Sequence, residues 1–173
     1  MRQFLVPILV IMASGSAAAQ QEAPAPVPCS GEAYHAFDFW VGTWDVYDGS
    51  GNKVGENTIL PEEGGCVLVE RWTSTSGTTG QSYNFLEPDS GKWRQVWVSK
   101  GSVIDYAGGL SPEGSMKLEG RILYHASGQS APFTGEWTPN EDGSVTQHFE
   151  QYNAATDTWD PWFTGKYVRK APE

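Results

Sequence analysis

From residue 43 onward the chain repeats one cadence: five to nine residues rich in Val, Ile, Thr, Tyr, Trp and Phe, then a cluster of Gly, Asp, Asn, Pro or Ser. β-Branched and aromatic side chains fit a pleated, half-buried surface, and the cluster residues supply turn geometry. The clusters are DGSGN (48–52), PEEGG (61–65), TSGTTG (75–80), PDSG (88–91), KGS (100–102), SPEGS (111–115), HASGQSAP (125–132), NEDGS (140–144) and NAATD (153–157). They predict ten strands, over 43–48, 53–60, 66–74, 81–87, 92–99, 103–110, 116–124, 133–138, 144–152 and 158–169. Only Ser30 to Val41 could hold a helical turn or two, with Ser30 as its candidate N-cap. Parallel strands need crossovers of a dozen residues or more, longer than these links. The expected fold class is therefore all-β: about ten antiparallel strands in sequence order, closed into an up-and-down barrel that leaves no free edge.

Alternation within the strands separates their faces. Trp93, Gln95 and Trp97 share one face, as do Cys66, Leu68, Glu70 and Trp72, and again Val145, Gln147 and Phe149. Each such face mixes large aromatics with an amide or a carboxylate. An unpartnered polar group in a packed core costs roughly 1–3 kcal/mol. The pattern therefore points to a wet or ligand-holding interior.

The residues expected to line that interior are Glu70, Trp72, Asn84, Gln95, Trp97 and Gln147. Tyr83 and Asn84 point to opposite faces, and Asn84 is the one assigned inward. The expected occupant is a small hydrophobic or amphipathic molecule, with aromatics giving contact area and amides orienting it. Two other functions use the same features. One is an enzyme with Glu70 as general acid or base, followed by Asp105 and Glu150. The other is an interaction protein whose barrel is packed solid with tryptophan.

The chain opens MRQFLVPILVIMASGSAAAQ: one arginine, an apolar run and small residues ending at Ala19. This reads as a secretory leader over 1–19, too short to span a bilayer. The Pro/Ala segment over 20–28 reads as an extended tether. Val27 and Pro28 before Cys29 do not suit a lipid-anchor site, so no membrane anchor is expected. The remaining 29–173, about 145 residues, form one domain with one core. The protein is expected to be periplasmic or secreted, as a monomer or homodimer.

Net charge is −10 for the whole chain, and removing the leader with Arg2 makes it one unit more negative. That balance disfavours nucleic acid and anionic lipid as partners. The two cysteines, Cys29 and Cys66, are expected to pair in an oxidising compartment, free buried thiols being the alternative. No metal site is expected, because no histidine pair stands near the cysteines. No cofactor is expected either. His35 and His125 read as solvent-facing, and His148 falls on the face opposite Gln147 and Phe149. Trp159 and Trp162 flank Pro161, which marks an edge, a bulge or a late strand start. As exposed rings, that pair could alternatively stack on sugars.

The stretches FDFWVGTWDV (37–46), GGCVLVERW (64–72), GQSYNF (80–85), GKWRQVWV (91–98), EWTPNEDGSVTQHFE (136–150) and FTGKYVR (163–169) resemble a bacterial family of exported proteins of unknown function. Gly42-Thr43-Trp44 also resembles the Gly-x-Trp signature opening the first strand of calycins: lipocalins, avidins, fatty-acid-binding proteins and nitrobindin-like barrels. The resemblance implies a calycin-like β-barrel and no particular reaction. It also implies that Trp44 packs across the closed end, with Arg169 from the last strand against its face; Lys166 and Lys170 are the alternatives there. Nitrobindin-like barrels hold haem through a histidine, a part that the outward parity of His148 does not suit.

Overall fold

The computed structural model describes residues 27–171. Ten strands form one closed antiparallel barrel in which each strand pairs with its sequence neighbours and β1 closes against β10. They are β1 (Gly42–Asp48), β2 (Lys53–Glu62), β3 (Val67–Ser74), β4 (Thr79–Leu86), β5 (Trp93–Ser99), β6 (Ser102–Leu110), β7 (Met116–Tyr124), β8 (Ser130–Pro139), β9 (Val145–Asn153) and β10 (Thr158–Arg169). The all-β, up-and-down expectation holds. The expected leader and nearly all of the tether lie outside the described residues.

Strand limits fall close to those predicted, with one larger difference. β8 begins at Ser130, because Ser130, Ala131 and Pro132 pair with Leu123, Ile122 and Arg121 across β7. Their Ser/Ala/Pro composition reads as loop, yet Pro132 is exposed and a strand can carry it where no ladder donor is needed. Pro161 marks a bulge: the β9–β10 register shifts between Pro161 and Phe163, which frees Trp162 from the ladder.

The interior has two unlike halves. One end is plugged by the N-terminal segment, which forms two short 3-10 helices, Glu32–His35 and Asp38–Trp40. Ser30 does not cap the first: Gly31 is the N-cap, and the Ser30 hydroxyl instead donates to the Val27 carbonyl. Phe37 and Trp40 are fully buried and stack with ring centroids 5.0 Å apart. Trp137 packs edge-on to Phe37 at 5.3 Å, and Trp93 does so at 5.7 Å.

Hydrogen bonds fix this plug to the wall. The Trp93 indole donates to the Ala33 carbonyl at 3.0 Å, and the Trp44 indole donates to the Trp40 carbonyl at 3.0 Å. A Cys29–Cys66 disulfide joins the start of the segment to the corner between β2 and β3, as the cysteine reading anticipates. Such a bond fits an oxidising compartment.

Candidate functional site

At the other end the interior stays open. A cavity of about 230 Å³ is floored by Glu70, Gln95, Gln147, Tyr106 and Tyr167 and walled by Trp72, Trp97, Ile104, Phe149, Trp162 and Phe163. The floor is deeply buried, with Glu70 and Gln147 each 4% exposed. Exposure rises toward the mouth, where Trp72, Trp97 and Phe163 are half-buried and Trp162 is exposed. The bulge in β10 explains why consecutive residues Trp162 and Phe163 both line the cavity: two residues there stand against one on the partner strand.

Two wall tryptophans are seated on glycines. A Cβ at Gly80 would lie 2.2 Å from the Trp97 ring, and one at Gly55 would lie 2.4 Å from the Trp72 ring. Each indole therefore lies flat over a neighbouring strand, where a side chain would otherwise push it into the lumen.

Between plug and cavity runs a belt of hydrogen bonds around the barrel wall. Tyr106 on β6 donates its hydroxyl to the Gln95 side-chain carbonyl on β5, and the Gln95 amide donates to the Asn84 carbonyl on β4. The Asn84 amide donates to Ser82 Oγ at 2.9 Å and to the Leu68 backbone carbonyl at 3.0 Å. Ser82 donates to Glu70 Oε2 at 2.5 Å. From the other side, the Asn57 amide on β2 donates to Glu70 Oε1 at 2.7 Å and to the Tyr167 oxygen at 3.2 Å. Tyr167 on β10 in turn donates to Gln147 Oε1 on β9 at 2.8 Å. Glu70 is thus the acceptor on which both arms converge.

The electrostatics follow from this burial. Removal from water pushes the Glu70 carboxyl up to about 7, and the bonds from Ser82 and Asn57 offset part of that rise. Burial, and then the Glu70 charge, push the Tyr106 and Tyr167 hydroxyls above their ordinary value, so both stay neutral donors. The Asn57 side-chain carbonyl is buried with no donor among the described residues.

Five of the residues read from sequence come together here: Glu70, Trp72, Gln95, Trp97 and Gln147. Asn84 points inward and is fully buried while Tyr83 is 54% exposed, yet Asn84 stands behind the lining, bracing Gln95 and Ser82. Gln95 does not touch Glu70: Ser82 and Asn57 hold the positions beside the carboxylate, and Gln95 reaches it through Asn84 and Ser82.

The other acid candidates are on the outer face. Asp105 is held by Arg94 at 2.9 Å, and Glu150 lies 3.7 Å from His148. All three histidines are outside the lumen: His35 ion-pairs with Asp38 at 2.8 Å, His125 is exposed, and His148 bonds Thr164 at 2.7 Å. Trp159 packs outside on Tyr152, with ring centroids 5.6 Å apart. Trp162 instead leans on Phe133 at 5.5 Å and hydrogen-bonds the Tyr124 hydroxyl, so the two exposed indoles do not form one platform.

Sequence reading missed Asn57 and Ser82 as partners of Glu70 and did not single out Tyr106, Tyr167 or Phe163. Alternation carried part of that signal. Asn57 shares its face with Gly55 and buried Ile59, and Tyr106 shares its face with buried Ile104.

Comparison with protein-family models and with curated proteins gives no match. The fold and site themselves define the class: a closed ten-stranded antiparallel barrel, compatible with a calycin-like fold, with one end plugged by aromatics and the other hollow over a buried carboxylate.

Proposed function

We propose that this protein is an exported small-molecule-binding barrel that holds a compact amphipathic ligand in its open half. The observation that carries this reading is the cavity of about 230 Å³ beneath an aromatic wall and above a hydrogen-bonded polar floor. An apolar cavity of about 150 Å³ accepts benzene, so this one has room for a single-ring compound with a short polar arm. The disulfide supports residence outside the cytoplasm.

A cavity enzyme using Glu70 as acid or base has one observation in its favour, the raised carboxyl. Against it, Tyr106 and Tyr167 have their protons committed to Gln95 and Gln147, so no second proton-transfer group stands ready beside the carboxyl among the described residues. The hollow end likewise argues against a solid-core interaction protein. Native mass spectrometry of the protein, purified from the compartment to which its leader sends it, tests the binding reading. A co-purified small mass is expected, and a clean unliganded spectrum across several growth conditions would overturn it.

A further inference from the structure

Resting on that reading, we infer that the ligand's polar arm is cationic: the cavity is built for a small organic ammonium, seated on Glu70 and surrounded by aromatic rings. Three observations lead there. Among the described residues Glu70 is the one charged residue in the lining, and no Lys, Arg or His stands with it there. An anionic ligand such as a fatty acid would therefore meet a carboxylate and no counter-charge. Seven of the eleven lining residues are aromatic, and aromatic rings attract ammonium ions, most strongly where water is excluded.

The third observation is the direction of the hydrogen bonds. Both phenol protons are spent on amide carbonyls, so the tyrosines present oxygen lone pairs rather than donors. The Asn57 carbonyl beside Glu70 is unpartnered among the described residues, and each carboxylate oxygen accepts only one bond. The floor is rich in acceptors, and among the described residues Gln147 enters its hydrogen bonds through its carbonyl. Such a surface is complemented by a ligand that donates, and an ammonium brings up to three N–H groups and the missing charge. The net charge of −10 would draw cations toward the barrel.

The titratable groups facing Glu70 are Tyr167 from β10 and Tyr106 from β6, both neutral in this range. Binding of a cation is therefore linked to ionisation of Glu70 alone. Benzylamine, benzyl alcohol and benzoate are matched probes, read by the emission of the wall tryptophans. Benzylamine is expected to bind at least tenfold more tightly than benzyl alcohol at pH 8, with benzoate excluded. Its affinity should fall about tenfold from pH 8 to pH 6 as Glu70 takes up a proton, while that of benzyl alcohol stays constant. The pH profile is measured on the unaltered protein. Glu70→Gln, checked for folding by its thermal transition, should abolish the preference for the amine.

Equal or tighter binding of benzyl alcohol, or a pH-independent amine affinity, overturns the cationic assignment and leaves the binding barrel standing. Failure of all three probes at millimolar concentration, together with an unliganded native spectrum, overturns both.

Discussion

Arg169 holds its guanidinium carbon 4.3 Å from the centroid of the Trp44 ring, and the two residues stand directly opposite each other in the β1–β10 register. The contact lies on the seam where the last strand closes on the first, and Arg169 also donates to the Val41 carbonyl at 3.2 Å. Gly42 makes room for it, since a Cβ there would lie 2.6 Å from the guanidinium, and its φ of +146° suits glycine. Arg169→Ala should cost about 1 kcal/mol of unfolding free energy. Trp44→Ala, which empties a fully buried site, should cost roughly 3–5 kcal/mol. Trp44 does not line the cavity, so denaturant titration should register both losses while probe affinity of the folded variants is unchanged.

The cross-link is expected to stabilise through the loop it closes. Cys29 and Cys66 are 37 residues apart in sequence, and a loop of that size is worth roughly 3–4 kcal/mol in the chain-entropy model. Cys29→Ser with Cys66→Ser should lower the denaturation midpoint accordingly, with the plug end losing amide-exchange protection first. Alkylation without reductant should label neither cysteine in the unaltered protein.

Glu70 makes stability depend on pH in an unusual direction for a carboxylate. Its folded value lies near 7 against an ordinary 4.5, so between those values the folded state holds a proton that the unfolded state has released. Stability should therefore fall as pH rises from about 4.5 to 7, by about 3 kcal/mol, and level off above. Glu70→Gln should flatten that slope in denaturant titrations at pH 5, 6, 7 and 8. A slope unchanged by the substitution would show that another group carries it.

The glycine seats are expected to be intolerant of a methyl group. Gly80→Ala would place a Cβ 2.2 Å from the Trp97 ring, forcing the indole into the lumen at a cost of ~1–3 kcal/mol. Gly109→Ala, with nothing within 4 Å of the added atom, is the control and should stay within about 0.5 kcal/mol. Thermal melts separate the two, and only the Gly80 variant should shift the tryptophan emission.

Much of the architecture is legible in the chain because strand period, turn chemistry and inward parity are local properties. Alternation places Trp93, Gln95 and Trp97 on one face, and all three do point inward. It does not say how far along the barrel axis each lies. Trp93 ends in the plug against Phe37 and Trp97 in the cavity wall, a difference set by where the N-terminal segment folds back. Pairing partners are hidden for the same reason. Glu70 meets Asn57 and Ser82 because register puts three strands side by side, and register depends on every turn in between.

The plug also decides how the barrel can work with its surroundings. With Phe37 and Trp40 closing one end and Trp162 beside the other, the molecule is a vessel with one doorway, not a conduit. A ligand held as proposed would leave by the route it entered, so its exchange kinetics would rest on the few side chains at the threshold, and a single substitution at Trp162 would alter residence time without touching the polar floor.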